Sequence, residues 1–295
     1  MTTIGWALLS PNNICCETAH SMRLKIRHET IYRYGVPAKY AVQMLRLTPR
    51  SHEGQFVQRW RVEIDADCRL DRNQDPFGNI VHIFTVDGPL SAMSIIAEGE
   101  VDMTACGGFI HGGIERLPLG LWRRETALTG ISQEMRSYAR RIASGEGGNA
   151  LAALHALMAA INSDFRFVIG ETDASTSAAQ AFSQKSGVCQ DLAHVFIGCA
   201  RSLGIPARYA GGYYMRTDTA HQEAGHAWAE AHVDGLGWIG FDPANGICVT
   251  DRHVRVAIGQ DYLDAAPIRG ARIGGMDEVL SVSVEVREGR SIIEA

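Results

Sequence analysis

The sequence predicts an α+β protein in which an N-terminal antiparallel β-sandwich precedes a core of helices packed on an antiparallel sheet. Three observations carry that prediction. Apolar and polar residues alternate through most of 22–105. From about Ser132 the apolar spacing becomes helical, and after Pro206 it returns to alternation. Strands, then helices, then strands again describe a layered core with a β-rich annex. A chain of 295 residues exceeds one typical domain, which suits the division.

Residues 1–21 (MTTIGWALLSPNNICCETAHS) read as a disordered or non-native extension. Trp6 to Leu9 is too short an apolar run for a signal peptide, and no Lys or Arg precedes it. Strand patterning begins directly after Met22, the expected natural start. LKIRHETIYRY, YAVQMLRL, RWRVEID and NIVHIFTVD then alternate, while Pro37, Pro49 and DPFGN (75–79) mark turns. Strands so spaced, with no helical period between them, form the sandwich of 22–105. Residues 106–130 are Gly-rich and read as a linker, leaving 131–295 as the second unit.

That unit opens with two helical patterns. ISQEMRSYARRIA places Ile131, Met135, Tyr138, Ala139 and Ile142 on one face, and NALAALHALMAAINSDF is a more apolar successor. SAAQAF is a short third. In GVCQDLAHVFIGCARSLGIPARYAGGYYM, Leu192, Val195, Phe196, Cys199, Ala200 and Leu203 recur at helical spacing. Gly204 and Pro206 stop that helix, so Gly187-Val188-Cys189 stands at its N-terminus. The strands ARYAGGYYM, HAWAEAHV, WIGFD, HVRVAI and VLSVSVEV follow.

Composition is ordinary for a globular protein. A net charge of -5 and 46% hydrophobic residues give no electrostatic reason to expect nucleic acid or an anionic membrane. No apolar run approaches the roughly 20 residues of a bilayer span. Seven scattered cysteines fit neither a disulfide framework nor a zinc ribbon and suit a reducing compartment, so the expected location is cytoplasmic.

One cysteine has neighbours that suggest chemistry. A thiol attacks carbonyls as thiolate, and a helix N-terminus lowers the thiol pKa through its unpaired N–H groups. The same N–H groups can hold an oxyanion. Cys189 occupies that position, after Gly187, whose missing side chain permits a sharp turn and leaves room for substrate. Cys199 lies within the apolar face and reads as core. In GHAWAEAH, alternation places His226, Trp228, Glu230 and His232 on one strand face and Ala227, Ala229 and Ala231 on the other, against the catalytic helix. Asp242 lies on the next strand. Pairing outward from a turn at 235–237 brings it level with Ala229 to Ala231, and a register shift would carry it to His226, whose imidazole it would orient. Each of the three residues has an ordinary structural reading when taken alone.

GVCQDLAH, GHAWAEAHV and WIGFDPANG, in that order, resemble the three motifs of the bacterial transglutaminase-like superfamily. The resemblance covers roughly 130 to 270, and the stretch from Met22 resembles the N-terminal domain of one bacterial branch. It implies a papain-like fold, Cys189 as nucleophile, His226 as general base and acid, Asp242 as orienter, and no metal or other cofactor. Gln184, upstream of the nucleophile, is not assigned to the site. Trp228, His194 and Tyr213 (with Tyr214 beside it) are candidates for binding substrate or supporting the triad.

The expected activity is amide or peptide bond hydrolysis through a thioester, with a peptide or protein amide as partner. Transfer of the acyl group to an amine, as in a protein-glutamine transglutaminase, is the alternative. A non-catalytic peptide-binding module is a third reading. A zinc site of His226, Glu230, His232 and Cys189 is a fourth, which Trp228 between the ligands disfavours. Oligomeric state is not legible.

Overall fold

The protein is described from a computed structural model covering residues 21–113 and 115–289; the expectation for residues 1–20 lies outside them. Two long strands organise the first domain: β1 (Ser21–Thr48) and β4 (Ile80–Thr104), with β2 (Gln55–Ile64) and β3 (Asp71–Gln74) between them in sequence. β1 and β4 pair from Ser21↔Thr104 to Thr48↔Ile80, with an irregularity between Arg33 and Ala38. That break divides the sheet. The leading half of β1 carries Leu24 and Ile26, while the trailing half carries Leu45 and Leu47. Tyr32, Leu45, Leu47, Phe84, Val86, Met93 and Ile95 join one apolar cluster drawn from both halves, so a single bent sheet supplies both sides of the sandwich.

The segment expected as a linker is structured. β5 (Phe109–Ile110) pairs with a strand of the second sheet, and a 3-10 turn at Leu119–Arg123 buries Trp122 against it. Then come α1 (Gln133–Ser144) and α2 (Ala150–Asp164), with Ser132 and Asn149 capping their first turns. β6 (Arg166–Phe167) and α3 (Ala178–Gln184) follow, the helix opened by a Ser177–Gln180 capping box. β7 (Ser186–Gly187) runs parallel to β6 and leads into α4 (Cys189–Ser202).

α4 is the axis of the second domain, buried from Asp191 to Arg201. Its Ala193 and Ala200 cluster with Ala227, Ala229 and Ala231, small faces that let helix and sheet approach closely, as the alternation implied. The sheet consists of β8 (Ala207–Tyr214), β10 (His226–Val233), β11 (Gly237–Asp242), β12 (Ile247–Cys248) and β13 (His253–Gly259), in the order β12-β11-β10-β8-β13. A short β9 (His221–Gln222) leaves this domain to pair with the first sheet, and α5 (Tyr262–Ala265) ends the core.

The chain then departs from the expected division. β14 (Ile268–Gly274) and β15 (Glu278–Glu288) both pair antiparallel with β1, so 131–295 is not one unit. VLSVSVEV alternates equally well for either sheet, and alternation does not say which partner strand is free. Leu24, Ile26, Val284 and Val286 then face Tyr213, Val254 and Val256 across the domain boundary. Two amide side chains of the first domain act there as substitute strands on the edge strand β13. Gln55 bonds both N–H and C=O of Arg255, at 2.8 Å each, and Asn79 bonds both of Ile258, at 2.8 and 2.7 Å. Among the described residues no helix is long and apolar enough to cross a membrane.

Candidate active site

The approach to Cys189 is built locally. Lys185 ends α3 in the left-handed region at φ 55°, a conformation that costs a residue with a side chain about 1 kcal/mol or more. Its ammonium sits 3.5 Å from the Phe182 ring centre, 4.4 Å from Phe165 and 4.9 Å from Tyr138, which offsets that cost. Gly187 is required by packing rather than by substrate access. A Cβ there would lie 2.6 Å from Asp191 Oδ2, and that oxygen accepts the Val188 N–H at 2.8 Å and the Thr172 hydroxyl at 2.7 Å. Cys189, half-buried, is therefore the first residue of a firmly capped helix. The Asp191 N–H turns back to the Val188 carbonyl at 3.0 Å, whereas the N–H groups of Cys189 and Gln190 precede any acceptor the helix itself can offer.

His226, the first residue of β10, lies across from it. Its Nε2 is 2.7 Å from Asp242 Oδ2, which leaves Nδ1 for the Cys189 side chain, close enough to act on the charge of the ring. Burial alone would lower the imidazolium pKa. The Asp242 carboxylate and the Cys189 sulfur outweigh burial and push it up to about 10. Asp242 is fully buried, which would raise its carboxyl, yet His226 and His253 hold it well below the usual carboxylate range. The register explains how Asp242 arrives. β10 and β11 pair Val233↔Gly237 through Ala229↔Phe241, so the turn centres on Gly235 and Asp242 stands one step past Ala229 toward His226. The expected pairing centred the turn one residue later and placed Asp242 two positions too far from His226.

Two polar partners have no counterpart in the sequence reading. Asn245 donates Nδ2 to Asp242 Oδ2 at 2.6 Å, while the Ala244 and Asn245 N–H groups hold Oδ1 at 3.0 and 3.2 Å. His253, 3% exposed, places Nε2 3.2 Å from Oδ2. Asn245 was concealed in DPANG, ordinary turn chemistry, and His253 lies in a separate strand outside the three motifs.

The remaining candidates are distributed differently. Trp228 is buried beneath the histidines, its ring 6.2 Å from His226 and 5.4 Å from His253, in a cluster with Trp122 and Trp238. His194 is a core residue: its Nε2 accepts the Tyr262 N–H at 3.0 Å, and burial drives its pKa down to about 3. Tyr213 does not line an entrance. It is 2% exposed, and its hydroxyl meets His28 Nδ1 of the first domain at 3.0 Å. Strand alternation turns the neighbouring Tyr214 to the site instead, with ring centres 5.3 Å from His226 and 4.5 Å from His253. Gln184 is exposed at the end of α3.

The four proposed zinc ligands do not converge. Glu230 is held by Arg208 Nε at 2.6 Å and by Arg255 at 2.7 and 3.0 Å, and His232 packs on Trp238. The metal-ligating types that do cluster among the described residues are His226, Asp242 and His253. That set is poorly suited to an ion, because the Thr250 N–H donates to His253 Nδ1 at 3.1 Å and puts the ring proton on Nε2, the atom a metal would need. The arrangement suits nucleophilic attack by sulfur with proton transfer through His226.

Known proteins match along most of the chain. The family model described as the transglutaminase-like superfamily matches residues 136–243, and that of the bacterial transglutaminase-like N-terminal region matches 24–102. The uncharacterized protein ML0607 of Mycobacterium leprae is 30% identical, over 90% of this chain and 98% of its own length. The uncharacterized protein Rv2569c of Mycobacterium tuberculosis is 28% identical, over 90% and 92%. A "putative cysteine protease" from Cytophaga hutchinsonii has the same fold, with a TM-score of 0.74, 20% identity and 92% of each chain covered.

Proposed function

Because this chain belongs to the transglutaminase-like superfamily, we propose that it is a cysteine-dependent amide or peptide hydrolase working through a Cys189–His226–Asp242 triad. The observation that carries the reading is the 2.7 Å bond between Asp242 and His226, which leaves the other ring nitrogen of His226 for Cys189 at the α4 N-terminus. The thiolate attacks the amide carbon, and N–H groups of the first turn of α4 stabilise the oxyanion. The His226 imidazolium gives its proton to the departing amine, leaving a thioester on Cys189. Neutral His226 then takes a proton from water, whose oxygen attacks the thioester; the acid leaves, and the thiolate–imidazolium pair is restored. Asp242 remains ionised and fixes the ring throughout.

A peptide or protein amide is the proposed partner. The five cysteines of the described residues are unpaired, which suits the cytoplasm. The test is iodoacetamide labelling against pH, read by peptide mass spectrometry, on the parent protein and on His226→Ala. Cys189 should alkylate fast at neutral pH in the parent alone, and Cys189→Ala should abolish turnover of peptide amides. Labelling of Cys189 no faster than of Cys68 or Cys106 would sink the proposal.

A further inference from the structure

We propose that His253 is a positioning residue of this site, fixing the Asp242 carboxylate that orients His226. The inference rests on the triad reading and deepens it. Asp242 has five donors, and three of them (the Ala244 N–H, the Asn245 N–H and Asn245 Nδ2) come from its own turn. Those three hold the carboxylate relative to residues 242–245 and move with it. His253 Nε2 reaches the same oxygen from β13, the opposite edge of the sheet, and so ties that turn to the rest of the domain.

The ring is set up to accept from Thr250 and to donate to Asp242. The Thr250 N–H at 3.1 Å makes Nδ1 an acceptor, so the neutral ring carries its proton on Nε2, facing Oδ2. Tyr214 and Trp228 pack against the ring and prevent it from turning. Protonating Nδ1 would set two N–H groups against each other, and burial also lowers the pKa of this histidine. The charged and titratable groups around it are Asp242 and His226 on the site side. The Tyr214 hydroxyphenyl ring packs on His253 at 4.5 Å, and across a cavity of about 40 Å³ stand Glu230, Arg255, His52, Glu53 and Cys106, with Glu230 and Arg255 bonded to each other. His253 therefore stays a neutral donor while its partners carry charge.

Two amide substitutions separate the two ends of the ring. His253→Asn keeps an acceptor for the Thr250 N–H but is too short to reach Asp242. His253→Gln places an N–H where Nε2 was and gives up the Thr250 contact. The readout is Cys189 alkylation against pH, together with the thermal midpoint. The parent should hold a thiolate–imidazolium pair over a wide pH window. In His253→Asn the acid limb should move up by about one pH unit, the shift expected of one hydrogen bond to a charged group, and the rate on that limb should fall about tenfold. His253→Gln should return both to parent values. A merely structural role would lower the midpoint and leave the limbs in place. Coincident limbs in parent and His253→Asn, or a larger displacement in His253→Gln than in His253→Asn, would overturn the proposal. If the parent shows no low-pH thiolate, the triad reading falls first, which keeps the two failures apart.

Discussion

Replacing Asp242 by Asn removes a charge and inverts a hydrogen bond. The His226 and Asp242 charge centres lie about 4 Å apart, and at an effective dielectric near 20 that is worth about 4 kcal/mol, or about 3 pKa units. The imidazolium, held up to about 10 in the parent, should therefore titrate near 7 or below, since burial, which lowers it, persists. The amide cannot choose its orientation freely. The Oδ1 position accepts two backbone N–H groups, so the NH2 must take the Oδ2 position, pointing at the Nε2 atoms of both His226 and His253. His226 would then carry its proton on the nitrogen facing Cys189, the wrong tautomer for accepting one. In other triads the same exchange lowers kcat about 10⁴-fold, and a similar loss is expected here. NMR titration of the histidine rings and the pH dependence of Cys189 alkylation measure both effects. The signs extend to stability. A raised His226 pKa stabilises the fold below its ordinary 6.5, and that contribution disappears as pH rises through about 10. The lowered Asp242 pKa stabilises the fold above its ordinary 3.8, and the contribution is lost as pH falls. An imidazolium that survives above pH 9 in Asp242→Asn, or activity within tenfold of the parent, would refute the reasoning.

Three further outcomes are expected. Glu230→Gln removes the carboxylate shared by Arg208, whose side chain is 0% exposed, and Arg255, and leaves Arg208 with Glu115 at 2.8 Å as its carboxylate partner; the cost should be about 2–3 kcal/mol. At about 2 cal/mol/K per residue that lowers the thermal midpoint by about 3–5 °C, and a change under about 1 °C in calorimetry would contradict it. Gly187→Ala should drive Asp191 off the Val188 N–H, costing about 1 kcal/mol and slowing Cys189 alkylation; unchanged labelling would show that the cap does not position the nucleophile. Tyr213→Phe should destabilise by about 1–3 kcal/mol, because His28 Nδ1 is left buried and unpaired, with alkylation unaltered. Slower alkylation there would return Tyr213 to the site.

Local pattern made much of this legible. Alternation located the strands of 22–105, the Gly204–Pro206 stop located the start of α4, and the Ala227–Ala231 face announced the helix beneath β10. Pairing between distant segments was not legible. Both sheets accept a strand like VLSVSVEV, and only the absence of another partner for β1 decides between them. The triad turn was misplaced by one residue because GLG offers two glycines at φ near 80°, Gly235 and Gly237, and only Gly235 is central. His253 and Tyr213 were missed or misread for one reason: each acts across a sheet or a domain boundary, where spacing along the chain carries no information.

The placement of β15 beside β1 makes the first domain a host and the catalytic core its guest. The first strand of the described residues waits for the last, and everything between must emerge from the ribosome before the host can close. Until then Leu24 and Ile26 lack the cover of Val284 and Val286, and one edge of β1 stands unpaired. An early release of the chain would therefore leave an open sheet as well as an incomplete enzyme. In such an order of assembly, a closed host reports that the whole guest has been made.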